Sequence, residues 1–257
     1  MECRQTVKNV FDFINSIAPF EKQCEWDNSG LIIGDPSQKI GKIGVVLDIT
    51  ADAIKYAAEN GIDLIVSHHP VIFRAIKSVT ADDPAYMLIK SNISAICTHT
   101  SLDIAKGGVN DALADALGFE GAVPLSDSGE TEMIRICNTD EMNADTLAKL
   151  VAKKLSTCVT VADGNKPITK VALCGGAGGD FLFDVAASGC DAFITGEAKH
   201  HEFLAAKELG LTLIAAGHFE TENPVVDVLA NRIKNNFDCE IQIIPQSSPA
   251  KYFKAED

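Results

Sequence analysis

The amino-acid sequence predicts an α/β protein organised as two α/β domains with mostly parallel or mixed sheets. Three observations carry that reading. Short aliphatic runs alternate with stretches of helical periodicity along nearly the whole chain. The runs are almost continuously apolar, as strands covered on both faces are. The alternation pauses once, in the polar stretch 118–132 (GFEGAVPLSDSGETE), and then resumes.

Taken in order, Val7, Val10, Phe11, Ile14 and Ile17 recur at helical spacing and predict an amphipathic opening helix. Residues 43–48 (IGVVLD) read as a strand, Ala51–Glu59 as a helix and 62–67 (IDLIVS) as a strand. Pro84–Lys90 is helical, 93–98 (ISAICT) is a strand and Val109–Leu117 a helix. Beyond the polar stretch the pattern predicts a strand at 133–137, a helix at 144–155, strands at 158–162 and 169–174, and a helix after Gly179. A strand at 191–195, a helix at 198–209, a strand at 211–216, a helix at 224–236 and a strand at 240–244 complete it. The expected first domain is 1–124, completed by the C-terminal 222–257, and the second is 125–221.

With 257 residues the chain can bury a core without disulfide staples. A composition of 46% hydrophobic and 23% charged residues excludes collagenous, coiled-coil and wholly disordered classes. The formal net charge of −14 denies the surface the positive field that nucleic acid or an anionic membrane draws on. A small anionic substrate stays compatible if metal supplies the charge. The eight cysteines are scattered and form no CxxC pair, so they read as reduced thiols, Cys97 and Cys174 inside apolar strands. The opening MECRQTVKNVFDFIN has acidic residues and helical spacing where a secretory leader has an apolar core, and no run approaches ~18 apolar residues. A cytoplasmic protein without a membrane partner is expected.

The histidines concentrate the chemistry. Of six, four follow predicted strands: His68 and His69 in DLIVSHHP, His99 in ISAICTHTSLD and His218 in LTLIAAGHFETE. In open α/β sheets, loops leaving the carboxyl ends of parallel strands build the ligand site. Asp103 follows His99 by four residues, and Glu222 follows His218 by four. Each motif alone has an ordinary explanation: a hydrogen-bonded loop histidine, a turn aspartate before Gly107-Gly108, a carboxylate near a helix start. Asn223-Pro224 reads as a cap followed by Pro in the first helical turn, which places His218 and Glu222 in a loop and not on a helix. Together, imidazoles and carboxylates without thiolate suit divalent Zn, Fe, Mn, Co or Ni. Three or four histidines with two carboxylates exceed one tetrahedral shell and would serve two ions sharing a carboxylate.

Other motifs carry less. Gly175, Gly176, Gly178 and Gly179 form a turn ahead of a helix and favour close packing over phosphate binding, since the Walker lysine and the full GxGxxG spacing are absent. Glu197, His200 and His201 follow another strand, with at least His200 or His201 on an exposed helix start and a solvated face favoured over ligation for both. Trp26-Asp27-Asn28-Ser29-Gly30 reads as a turn, with the sole Trp as a cleft wall.

WDNSGLIIGDP, DLIVSHHPVIF, THTSLDIAKGGVNDALADALG, CGGAGGD, ITGEAKHHEF and AGHFETE, in that order, resemble the Nif-three-like family, labelled GTP cyclohydrolase 1 type 2 homologues. The resemblance implies two α/β domains facing a central cleft with a dinuclear metal centre, and a homo-oligomer, commonly a ring-like hexamer. Carried over by position, it makes His68, His69, Asp103, His218 and Glu222 the metal ligands, with Glu222 as bridge. It places His99 in the same pocket as an outer hydrogen bonder or acid/base partner. The expected activity is hydrolysis by a metal-bridging hydroxide, opening a purine ring or cleaving a phosphoester, with His99 as the catalytic proton shuttle. The substrate would be a small molecule, a nucleotide among the candidates. The alternative is a non-catalytic protein that stores or delivers metal or scaffolds a partner.

Overall fold

The computed structural model describes residues 5–251 of the chain. Helix α1 (Val7–Ile17) begins where a capping box closes: Asn9 Oδ1 accepts the Thr6 amide at 2.9 Å and Thr6 Oγ1 accepts the Asn9 amide at 3.4 Å. Its apolar spacing buries Val7, Val10 and Ile14. Strands β1 (Gly30–Ile33) and β2 (Lys42–Val46) follow. Helix α2 (Ala51–Glu59) is capped by Thr50, whose Oγ1 accepts the Ala53 amide at 3.1 Å, and leads to β3 (Leu64–Ser67). Helix α3 (Pro84–Lys90) opens on Asp83 as cap and Pro84, which gives up an N–H that has no partner in a first turn anyway. Strand β4 (Ser94–Cys97) and the short α4 (Thr100–Ile104) come next.

The chain continues through α5 (Val109–Leu117), β5 (Val123–Pro124), β6 (Arg135–Met142), α6 (Ala144–Lys154), β7 (Thr160–Ala162) and β8 (Ile168–Cys174). Then follow α7 (Leu182–Ala187), β9 (Ala192–Thr195), α8 (His200–Leu209), β10 (Thr212–Ala215) and α9 (His218–Glu222). Last come α10 (Pro224–Lys234) and β11 (Glu240–Ile243).

Two compact units result. Among the described residues, one is 5–108 together with Val225–Gln246; the other is Val109–Pro224 with 247–251. The first holds a five-stranded sheet in the order β1-β4-β3-β2-β11. Its strands β11, β2, β3 and β4 run parallel, and β1 lies antiparallel on the edge. The second holds a six-stranded sheet in the order β5-β6-β8-β9-β10-β7, parallel through β8, β9 and β10 and antiparallel at the flanks. Both sheets are mixed.

The boundary falls at Gly108/Val109, earlier than the polar stretch suggests, and residues 109–124 go with the second unit. The cause is apolar packing. Leu113, Ala114 and Leu117 of α5 share one buried cluster with Leu147 and Val151 of α6 and with Val171, Leu173 and Ile194 of the second sheet. Each fully buried Leu or Ile of this kind contributes about 1.5–3 kcal/mol. The first unit has its own core, in which Ile54 and Ala57 of α2 and Leu88 of α3 meet Val46, Ile65 and Ala95.

Among the described residues, the cysteines are free thiols; Cys97 and Cys174 are buried as expected, whereas Cys158 is exposed. Cys3 lies outside the described residues. No helix of the described residues is long and apolar enough to cross a membrane.

Candidate metal centre

Parallel strands all end on one edge of their sheet, so the loops leaving them gather there. In the first unit His68 and His69 follow β3 directly, while Asp48 and His99 each lie two residues past β2 and β4. His68 Nδ1 stands 3.0 Å from the Thr98 carbonyl. A carbonyl only accepts, so Nδ1 carries the proton and the neutral ring keeps its lone pair on Nε2. The same logic applies to His69, whose Nδ1 is 2.7 Å from Asp48 Oδ1, and to His99, whose Nδ1 is 2.7 Å from Asp27 Oδ1. One ring nitrogen from each of the three lies within 4.8 Å of the other two. Three imidazoles set in one tautomer by carboxylate or carbonyl partners are what a metal site needs around it.

Asp103, in the first turn of α4, joins them, its Oδ1 lying 3.7 Å from His68 Nε2. His68 and Asp103 are both buried. Asp27 is the electrostatic anchor. Its fully buried side chain accepts from the Asn28 amide (2.7 Å), the Thr100 amide (3.0 Å), the Thr100 hydroxyl and the Ser29 hydroxyl (3.1 Å) as well as from His99. Burial pushes its pKa up, but the hydrogen bond and charge of His99, with the Thr100 and Asn28 bonds, hold the carboxyl well below the usual range.

In the second unit the ends of β8, β9 and β10 carry the corresponding groups. Gly217, at φ +92°, turns the chain from β10 into α9. His218 and Glu222 therefore do sit on a helix, an i, i+4 pair with Nε2 and Oε2 3.2 Å apart. This corrects the loop expected there. Asn223 and Pro224 join two successive helices, and the Asn223 amide still reaches the Phe219 carbonyl at 2.8 Å. Glu197, after β9, puts Oε1 3.3 Å from His218 Nδ1. His200 and His201 point to solvent.

The glycine turn after β8 is explained by packing. A Cβ on Gly176, whose φ is +62°, would fall 2.1 Å from Glu222 Oε1 and 3.2 Å from His218 Nε2. Only bare backbone leaves those two side chains their places. Beside His218 the second unit also has a cavity of about 590 Å³, lined among others by Glu197, Lys199, Phe203 and Phe219.

Two residues that matter escaped sequence reasoning. Asp48 closes a predicted strand, as the histidines do, and extending the strand-end rule to aspartates would have found it. Asp27 precedes an edge strand of four residues too short to show periodicity, and nothing local links it to His99.

The Duf34/NIF3 (NGG1p interacting factor 3) family model matches residues 5–249. A Clostridium perfringens protein named GTP cyclohydrolase 1 type 2 homolog is 33% identical over 250 residues, spanning 93% of this chain and 95% of that protein. A Helicobacter pylori protein named GTP cyclohydrolase 1 type 2 is 31% identical over 254 residues, 93% of this chain and 99% of its own. The crystal structure of Staphylococcus aureus hypothetical protein SA1388 superposes with a TM-score of 0.88 at 24% identity, covering 96% of this chain and 99% of that one.

Proposed function

Since the chain belongs to the Duf34/NIF3 family, we propose that it is a metal-dependent hydrolase acting on a small nucleotide- or phosphoester-type molecule with two divalent ions, Zn, Fe, Mn, Co or Ni. His68, His69, Asp103, His218 and Glu222 would hold the ions, Glu222 serving both. The observation that carries this reading is the set of three imidazoles whose Nδ1 atoms are tied to Thr98, Asp48 and Asp27 and whose ring nitrogens gather within 4.8 Å. The His218–Glu222 pair supplies the same donor types from the second unit. Five such donors exceed one tetrahedral shell.

When bound, two divalent ions supply an acidified water and take up negative charge on the substrate oxygen. The chain's own residues do the rest. Thr98 and Asp48 keep the lone pairs of His68 and His69 on Nε2. Asp27 holds the His99 Nδ1–H, so Nε2 is the ring atom that takes a proton and returns it to the leaving group while Nδ1–H stays on the carboxylate. The cavity beside His218 has the volume of a small-molecule site. Its acidic wall of Asp180, Glu197, Glu202 and Glu220, set against Lys199, gives the metal charge a role in admitting an anionic substrate. We place this activity in the cytoplasm, in a homo-oligomer that the family resemblance makes a hexamer, with no nucleic-acid or membrane partner.

The test is metal content per subunit of the purified protein, paired with hydrolysis assays on GTP and generic phosphodiesters. About two equivalents are expected, with turnover lost in a folded Glu222→Ala variant. Metal without turnover would favour storage or delivery. Absence of metal from protein purified without chelator would end both readings.

A further inference from the structure

The first unit leaves two large aromatic side chains in water next to its histidine cluster. Trp26 is 54% exposed and Phe73 44% exposed. Their rings stand 5.8 Å apart at 50°, and each meets His99 edge-on, Trp26 at 5.8 Å and Phe73 at 6.0 Å. His99 in turn packs against His68 at 5.1 Å and His69 at 5.4 Å. A continuous aromatic surface thus runs from the metal-type donors out to solvent.

This surface is built into the fold. The Trp26 loop is pinned by the buried Asp27 carboxylate and its donors. The Phe73 loop is latched to it by Asn28, whose Nδ2 donates to the Ile72 carbonyl at 2.6 Å. Trp26 and Phe73 flank that latch in sequence, so both rings are positioned before any ligand arrives, which lowers the ordering cost of binding. The rings already lie within the contact range of aromatic pairs, about 4.5–7 Å. A third ring would stack on the open face of one of them and meet the other at a tilt, since the two planes are inclined at 50°.

We propose that Trp26 and Phe73 form a stacking ledge for a planar heteroaromatic ring of the substrate, holding it at the edge of His99. The proposal rests on the hydrolase reading and adds to it the two side chains that receive the flat ring of a nucleotide-type substrate, which a plain phosphodiester lacks. Arg74, exposed and next in sequence to Phe73, adds a cation suited to an anionic group attached to that ring. A π face is sequence-tolerant, so the ledge selects for flatness and leaves finer discrimination to other groups.

Trp26 is the sole tryptophan, so its fluorescence reports on the ledge alone. The full-length protein as purified is titrated with guanosine and adenosine, and with ribose 5-phosphate as the ring-free control; free N-acetyltryptophanamide corrects for absorption. Saturable quenching by the nucleosides and none by the sugar phosphate is expected. Phe73→Ala should weaken nucleoside binding about 10-fold, the size of one lost stacking partner, with metal content unchanged. Asn28→Ala, which frees the latch, should weaken it in the same direction. No saturable quenching, or a dissociation constant unmoved in Phe73→Ala, overturns the ledge. If Phe73→Ala instead changes only the oligomer mass on gel filtration, the surface is a subunit contact and the proposal is wrong. Nucleoside binding without turnover leaves the ledge standing and sinks the hydrolase; turnover without nucleoside binding does the reverse.

Discussion

His99 donates its Nδ1–H to Asp27 at 2.7 Å, across 72 residues of sequence. The carboxylate is fully buried; burial raises its pKa, but His99 first, then Thr100 and Asn28, hold it ionised, so it presents a fixed negative charge to the imidazole. Asp27→Asn keeps the shape and removes that charge. Turnover is expected to fall about 10- to 100-fold, the usual cost of losing an orienting partner of this kind, while metal content stays at the wild-type level. Parallel assays of the two quantities decide it; unchanged turnover would remove His99 from the mechanism.

Gly176 is the only residue type its position admits beside Glu222. Gly176→Ala adds a Cβ 2.1 Å from Glu222 Oε1 at a backbone φ of +62°. The left-handed backbone costs about 1 kcal/mol, and the carboxylate must also move. Metal content should drop while far-ultraviolet circular dichroism remains native. Wild-type metal content in this variant would show that Glu222 is not a ligand.

Arg135 is fully buried in β6 and pairs through Nε with Asp111 of α5, while Nη1 donates to the carbonyls of Glu132 and Met133. Asp111→Ala removes the carboxylate that the buried Arg135 Nε meets and should cost about 3 kcal/mol in urea denaturation. Replacing both partners, as Asp111→Leu with Arg135→Met, should recover most of that loss. A single-variant cost below about 1 kcal/mol would mean that the other partners of Arg135 support the charge.

Asp191 offers a pH test in the second unit. Its carboxylate accepts the amides of Thr169 (2.9 Å) and Lys170 (3.0 Å) and the Thr169 hydroxyl (3.0 Å), with Lys166 Nζ 3.4 Å away. Burial raises its pKa, but these partners together lower it below the ordinary value. A depressed folded pKa means that the stabilisation is fully present above the unfolded pKa of about 4 and is lost as pH falls through the folded value. Asp191→Asn should therefore lower the urea midpoint most at neutral pH, with the gap to wild type closing from about pH 4 downward. A gap constant across that range would contradict the assignment.

The sequence by itself determined the parallel core of both sheets, because near-continuous apolar strands and 3.6-residue helices are local patterns that survive without knowledge of the fold. Ala51–Glu59, Pro84–Lys90 and Val109–Leu117 were legible to the residue. So was the placement of His68, His69, His99 and His218 after strands, since chain direction alone decides which end of a parallel strand a loop leaves. Tertiary structure decided the rest. Strand β1 is too short to carry a period, and the helix at His218–Glu222 depends on a left-handed Gly217 that no periodicity announces. The boundary at Val109 follows from which sheet α5 buries its apolar face against. The pairings of Asp27 with His99 and Asp48 with His69 exist only through space: a hydrogen bond acts over about 3 Å whatever the separation along the chain. Periodicity reports which face a residue turns inward, and only the closed fold decides which buried polar group it meets there.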